Sequence, residues 1–174
     1  MNVKKLHTAL LEELFGPIFL RILQQDHTLR IVHLMDKERI SRTLGIVRFR
    51  NTEHPLIAAA HGRITAGELL GKTLVDGGIP YTKDLMFQCG VCLPEWVKRD
   101  FKTDQKHSVA NYSQISIRNG APGQSFLYAE IFEIIPPEII HLIPKPPLTH
   151  LTPEEDRAEL LGFAGITVAL KDTE

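Results

Sequence analysis

The chain has 174 residues, of which 43% are hydrophobic and 24% are charged, a composition typical of one compact globular domain. Its 20 basic and 21 acidic residues give a formal net charge of −1, so it lacks the basic excess of most nucleic-acid-binding proteins. No apolar run reaches the roughly 20 residues that a transmembrane helix needs, and the N-terminus lacks a signal-peptide pattern. We therefore expect a single-domain cytoplasmic protein that binds neither nucleic acid nor membranes.

Periodicity predicts two helices and a strand in the first part of the chain. Apolar residues recur at helical spacing over residues 5–15, and Gly16-Pro17 ends this helix. Residues 18–25 are predicted to form a second short helix. Residues 28–35 alternate and contain β-branched side chains, which predicts a strand.

Two hairpins are predicted in the middle of the chain. The first has strands at residues 42–49 and 55–63, joined by a polar turn. The second has strands at residues 108–118 and 124–135, joined by Asn-Gly-Ala-Pro-Gly and ended by two prolines. Residues 82–93 are ambiguous. Because no regular crossover helices separate the strands, the pattern predicts an α+β fold, an antiparallel sheet with helices on one face.

The C-terminal part, residues 144–174, is predicted to be a proline-rich linker followed by a short helix. Four prolines between residues 144 and 153 favour an extended conformation. Thr152-Pro-Glu-Glu then has the pattern of a helix start, and this helix should end near Gly162 or Gly165.

Two short motifs suggest ligand binding, but their context argues against it. Residues 66–73, Ala-Gly-Glu-Leu-Leu-Gly-Lys-Thr, fit a loose phosphate-binding loop, yet the Asp-Gly-Gly-Ile-Pro that follows cannot form the long helix this motif requires. Cys89 and Cys92 have the spacing of a zinc or redox pair, but the chain has no second cysteine pair. Two small core residues are the favoured interpretation, and we predict no metal site.

Glu130 is the strongest candidate for a functional side chain. It lies in the predicted strand 124–135, where strict alternation places it on one face with Phe126, Tyr128 and Phe132. Such a carboxylate belongs either to a solvated strand surface or to an apolar pocket, where its pKa would rise. Burying a carboxylate without a partner costs several kcal/mol, so the second alternative requires a partner for it.

Four segments of the chain resemble the chorismate pyruvate-lyase superfamily, in its divergent branch that largely lacks assigned function. The resemblance covers residues 15–137 and implies a chorismate lyase-like fold. The segments are residues 16–25 with 28–32 (first helix, turn and strand), residues 42–60 (central hairpin), Gly-Ile-Pro-Tyr-Thr-Lys-Asp-Leu from Gly78 (the Pro-Leu-Gly turn), and Asn119-Gly120 with Tyr-Ala-Glu-Ile-Phe from Tyr128 (the closing strand, Thr-Glu-x-Phe).

The resemblance also implies a site and a reaction. In this family an arginine on the central hairpin and a glutamate on the closing strand hold an aromatic product. The glutamate corresponds to Glu130, and the arginine corresponds to Arg42 if the strand contains one extra residue, as in a β-bulge. The family's pocket-lining positions correspond to Ile18, Ala59 and Tyr81. The implied reaction converts chorismate to pyruvate and a hydroxybenzoate, and it needs no cofactor.

These residue types suit that chemistry. Arg42 would bind a substrate carboxylate through two parallel hydrogen bonds, and Glu130 would transfer a proton if its pKa were raised. The expected partner is therefore a small aromatic or enolpyruvyl acid. Two alternatives are a non-catalytic sensor of such an acid and an interaction protein that has kept the fold. A homodimer is compatible with the sequence.

Overall fold

The computed structural model describes residues 7–120, 123–143 and 159–168. These residues form one antiparallel sheet with helices packed against it. The strands are β1 (Phe19–Gln25), β2 (Leu29–Met35), β3 (Ser41–Phe49), β4 (Tyr81–Cys92), β5 (His107–Arg118), β6 (Ser125–Ile135) and β7 (Thr167–Val168). The helices are α1 (His7–Phe15), α2 (Ala58–Thr65), α3 (Leu70–Asp76), α4 (Glu95–Phe101) and a 3-10 helix (Pro137–Leu142), and residues 159–162 are also helical.

The strand order across the sheet is β1-β2-β3-β6-β5-β4-β7, and all neighbouring strands are antiparallel. This confirms the predicted α+β class with an antiparallel sheet. The sheet consists of two groups, β1-β2-β3 and β6-β5-β4-β7, which join where β3 pairs with β6. The predicted second hairpin, between β5 and β6, is also confirmed.

Residues 18–25 form the edge strand β1 instead of the predicted helix. The cause is a tight turn at Asp26, whose carboxylate accepts hydrogen bonds from the backbone N–H groups of Thr28 (2.7 Å) and Leu29 (2.8 Å). This turn brings residues 19–25 alongside β2, where ladder hydrogen bonds satisfy the backbone. Pairing with a neighbouring strand overrides the weak local preference for a helix.

The apolar segment 55–63 is largely helical, so its prediction as a strand was wrong. Helix α2 starts with three consecutive alanines, the residue with the highest helix propensity. The buried residues Ile57, Ala60 and Ile64 repeat with helical spacing. As a result, the first hairpin consists of β2 and β3, and α2 packs across the sheet next to it.

The helices cover both faces of the sheet. The neighbouring residues Ile46 and Val47 of β3 point to opposite faces. Ile46 packs in one cluster with residues of α4 and of the helical segment 159–162, whereas Val47 packs in another with residues of α2 and α3. The face of Ile46 is called face A and the face of Val47 is called face B. The prediction of helices on one face therefore describes α2 and α3 but not α4, which the sequence analysis did not identify.

A β-bulge in β6 changes which side chains share a face. Ile115 pairs with Ala129 and Ser116 pairs with Leu127, so Tyr128 is the extra residue. Tyr128 therefore points to face B, where its hydroxyl lies 2.8 Å from Nδ1 of His61 on α2. The strict alternation predicted for this strand fails at that residue.

The C-terminal predictions are tested only in part. The proline-rich linker, residues 144–153, and the predicted helix start at Thr152 lie outside the described residues. Residues 159–162 are helical, and a turn with Gly165 at φ +66° follows. The helix end predicted near Gly162 or Gly165 agrees with this.

Helix α4 is attached to face A through a buried histidine on β2. The ring of His33 is fully buried, with Nδ1 2.6 Å from the Ser41 hydroxyl and Nε2 3.1 Å from the Asp100 carboxylate of α4 in poor hydrogen-bond alignment. Burial lowers the pKa of His33 to about 4, although the negative charge of Asp100 opposes this shift. The ring is therefore neutral at neutral pH.

We predict that His33 makes the fold sensitive to mild acid. Between pH 6.5 and about 4 the unfolded chain protonates this histidine and the folded chain does not, so the free energy of unfolding must fall as the pH falls through this range. At about 1.4 kcal/mol per pKa unit the loss is roughly 2–3 kcal/mol. Urea titrations at pH 7, 5.5 and 4.5 on the wild type and His33→Gln measure it. An identical pH slope in both proteins would contradict the assignment.

Candidate functional site

Glu130 lies on face A in the centre of the sheet and is 7% exposed. Its carboxylate accepts two hydrogen bonds from Arg48, at 2.8 and 3.1 Å, and one from Nε of Arg50 at 2.9 Å. The Tyr112 hydroxyl donates a fourth at 3.1 Å. Arg48 stands directly opposite Glu130 across the β3–β6 ladder. Glu130 is thus a buried carboxylate with all its partners inside the protein.

These partners lower the pKa of Glu130. Burial alone would raise it, but the hydrogen bonds and charges of Arg48 and Arg50 outweigh burial. A functional Glu130 was expected to lie in an apolar pocket and to have a raised pKa. The structure provides two cations instead, and it gives Glu130 the properties of a structural ion pair.

Arg42 and Glu130 are not brought together. Arg42 occupies the bulge that the sequence analysis required, because Leu34 pairs with Thr43 and Met35 pairs with Ser41. It lies at the opposite end of β3 from Arg48. Its guanidinium bonds the Asp36 carboxylate at 2.6 and 2.8 Å, and it stacks on the Phe15 ring 4.2 Å from the ring centre.

The three predicted pocket-lining residues do not meet around a common space. Ile18 is buried with residues of α1 and the 3-10 helix. Ala59 is exposed on α2, because the segment is helical and its side chain points away from the sheet. Tyr81 is half-buried at the start of β4, beside the cluster formed by α2 and α3. None of them lines the cavity described next.

A cavity of about 80 Å³ lies on face B, where α1 and the start of α3 cover strands β2, β3, β4, β5 and β6. At roughly 15 Å³ per water molecule, it has room for several waters. Its polar lining residues are His7, Thr8, Arg30, Thr43, Lys83 and Glu133. Its apolar walls include Val32, Leu34, Val47, Leu70, Ile115 and Ile131.

Arg30 is the most unusual side chain in this cavity. It is 2% exposed, and its Nη1 donates to the backbone oxygen of Glu68 at 2.8 Å. Its Nε and Nη2 are buried and have no hydrogen-bond partner. Burial lowers its pKa to about 10, so the guanidinium is still charged at neutral pH. A buried charge with two unsatisfied donors is costly to the fold.

Glu133, Lys83 and His7 form a polar cluster in the cavity. Lys83 Nζ donates to Glu133 Oε1 at 2.7 Å, and His7 Nδ1 lies 4.0 Å from Glu133 Oε2. Burial would raise the pKa of Glu133, but its electrostatic interactions with His7 and Lys83 and the hydrogen bond from Lys83 lower it. Glu133 is therefore ionised, and Lys83 neutralises it.

Sequence reasoning missed Arg30 and Glu133, although they carry the same signal as Glu130, which is a charged residue within an apolar strand. Arg30 is a charged residue between two apolar neighbours in a predicted strand, and Glu133 is a second acid in the strand of Glu130. Glu133 and Ile131 both line the cavity, whereas Glu130 does not.

No protein-family model matches this sequence, and a comparison with curated proteins finds no significant match. Within the described residues, no helix is both long and apolar enough to cross a membrane. No cluster of three or more His, Cys, Asp or Glu residues in the described ranges could hold a metal ion. Cys89 and Cys92 are half-buried, and Cys89 packs against the core of face A.

We predict that Glu130 stabilises the fold. Glu130→Gln removes the negative charge between Arg48 and Arg50, and breaking one side of such a buried pair costs about 3 kcal/mol. Chemical denaturation measures the change. Glu53→Gln is the matched control, since that carboxylate is 87% exposed and its loss should change stability by less than about 0.5 kcal/mol. Equal effects of the two substitutions would contradict this role.

We predict the opposite sign for Arg30. Arg30→Met removes an uncompensated buried charge and keeps an apolar stem of similar length, so the free energy of unfolding should rise by about 1–2 kcal/mol. Arg48→Met is the matched control, because the same substitution there leaves Glu130 short of a partner and should destabilise the fold. If both substitutions destabilise the protein, Arg30 has a structural role.

Proposed function

We propose that the cavity on face B binds a small aromatic or enolpyruvyl acid, and that the protein is an enzyme of the chorismate-lyase type acting there. The observation that carries the proposal is the buried Arg30 guanidinium with Nε and Nη2 unpaired. Those two donors lie on one edge of the guanidinium, the edge that bonds both oxygens of a carboxylate.

The rest of the cavity defines the body of the ligand. Valine, leucine and isoleucine side chains line its walls, and such walls favour a flat apolar group over a sugar or a phosphate chain. Gly45 stands opposite Glu133 in the β3–β6 ladder and lines the cavity, so no side chain fills the space there. The cavity therefore suits an acid with a ring and few polar substituents.

The resemblance noted in the sequence points to Arg42 and Glu130, which do not share a cavity. The proposal keeps the type of chemistry that the resemblance implies, an arginine and a glutamate around an aromatic acid. It assigns these roles to Arg30 and Glu133, because both line one cavity.

The proposed reaction is an elimination. The bond between the ring carbon and the enolpyruvyl oxygen breaks, the ring loses a proton from carbon, and the leaving group takes up a proton to become pyruvate. Arg30 would hold a carboxylate, and Glu133 is the ionised group that would carry the proton. No oxidant or reductant is required.

One observation favours the second candidate, a binding protein without turnover. Glu133 is bonded to Lys83 at 2.7 Å and its pKa is lowered, so it is a weaker base than a carboxylate tuned for proton transfer. In this alternative the same cavity and Arg30 bind the acid, but the elimination does not take place.

We predict that incubation with chorismate releases pyruvate and a hydroxybenzoate in equal amounts, measured by a coupled pyruvate assay and by chromatography. Because a carboxylate loses two charge-assisted hydrogen bonds, Arg30→Met should weaken substrate or hydroxybenzoate binding by roughly 100-fold. Glu133→Gln should abolish turnover, while binding persists. Arg63→Met, at an arginine 46% exposed, is the control and should change neither.

The outcomes separate the candidates. Saturable hydroxybenzoate binding that depends on Arg30, without pyruvate release, identifies a binding protein. If chorismate and the hydroxybenzoates all fail to bind, or if Arg30→Met leaves their binding unchanged, the cavity is not the site and both candidates are wrong.

A further inference from the structure

The hydrogen-bond network around His7 assigns its tautomer. The Thr43 hydroxyl lies 2.5 Å from the backbone oxygen of Arg42 and 2.6 Å from His7 Nε2. A hydroxyl has one proton, and the carbonyl oxygen of Arg42 can only accept it. The bond between Thr43 and His7 is therefore donated by the Nε2–H of the ring. In the neutral ring, Nδ1 must then carry a lone pair.

That lone pair faces the carboxylate of Glu133. His7 Nδ1 and Glu133 Oε2 are 4.0 Å apart, beyond direct hydrogen-bond distance, and Lys83 bonds the other oxygen, Oε1. Both atoms are acceptors, and both residues line the cavity. A donor placed between them would bond one acceptor or share its proton with both.

We propose that His7 Nδ1 and Glu133 Oε2 form a subsite that accepts a hydrogen bond from a hydroxyl group of the ligand. The cavity then has a donor end at Arg30 and an acceptor end at His7 and Glu133, and the ligand class becomes the hydroxy acids. This inference rests on the proposed function, since it assumes that the acid occupies the cavity. His7 is the residue that this subsite adds to the proposed site, and it lies on α1, outside the sheet.

The charges around His7 are compatible with an accepting role. Burial lowers the pKa of His7, the charge of Glu133 raises it, and the charge of Lys83 lowers it again, with a net shift downward. Glu133 of β6, Lys83 of β4 and Arg30 of β2 are the charged groups that line the cavity with His7. The ring is thus neutral at pH 7 and its Nδ1 is available.

The test compares benzoate with the three hydroxybenzoate isomers by calorimetry. We expect at least one isomer to bind the wild type about 10-fold more tightly than benzoate, as one added hydrogen bond of about 1.4 kcal/mol predicts. In His7→Gln this preference should fall to about two-fold or less. Gln can still donate to Thr43 from the position of Nε2, but it has no acceptor at the position of Nδ1.

His7→Asn is the matched variant. Its side-chain oxygen occupies the position of Nδ1, so we expect it to restore a large part of the hydroxyl preference. His141→Gln, at an exposed histidine, should keep the wild-type ratio. A preference that survives in His7→Gln, or the absence of any preference in the wild type, would overturn the subsite.

A measurement on the wild-type protein tests the subsite without depending on whether the variants fold. In nitrogen-15 NMR spectra at pH 7, His7 should show a protonated Nε2 and an unprotonated Nδ1. The Nδ1 resonance should shift when the preferred hydroxybenzoate is added and stay in place with benzoate. A protonated Nδ1 in the free protein would contradict the proposal. If benzoate and all isomers fail to bind, both the proposed function and the subsite are wrong. If they bind without a preference for a hydroxyl group, only the subsite is wrong.

Discussion

The pairing of β3 with β6 is the constraint on which the other features depend. It joins the two groups of strands into one sheet, and its register sets Arg48 opposite Glu130 and Gly45 opposite Glu133. The two acids of β6 therefore point to opposite faces, one into an ion-pair cluster and one into a cavity. A register slip of one residue would exchange these faces and bury each charge in the wrong place.

The two buried clusters differ in how far hydrogen bonds compensate their buried charges. Glu130 has four hydrogen bonds from three side chains, so its burial is compensated within the chain. Arg30 has one hydrogen bond and two unsatisfied nitrogens in the same sheet, so its burial is not compensated. The proposed binding of an acid in the cavity would relieve this cost. The two clusters thus differ in how far their polar groups are satisfied, although both are buried.

The sequence predicted the class of the fold and the β5–β6 hairpin. It failed at residues 19–25, where tertiary pairing decides the conformation because Asp26 turns them onto β2. It failed at residues 58–65 for a local reason, because the helix propensity of their alanines outweighs an apolar pattern. It could not tell which acid of β6 lies in an ion-pair cluster and which lines a cavity. That difference depends on which cations the neighbouring strands place opposite each acid, and long-range pairing determines this.

The bulge at Tyr128 divides β6 into two parts whose even-numbered side chains point to opposite faces. Up to the bulge, Phe126 and Tyr128 point to face B, where α2 packs. After it, Glu130 and Phe132 point to face A. Inserting or deleting one residue at this position would leave the strand hydrogen-bonded but would reverse the orientation of one part. A single deletion that removes the bulge would therefore move Phe126 to the layer of Glu130, although its neighbours along the strand would stay the same.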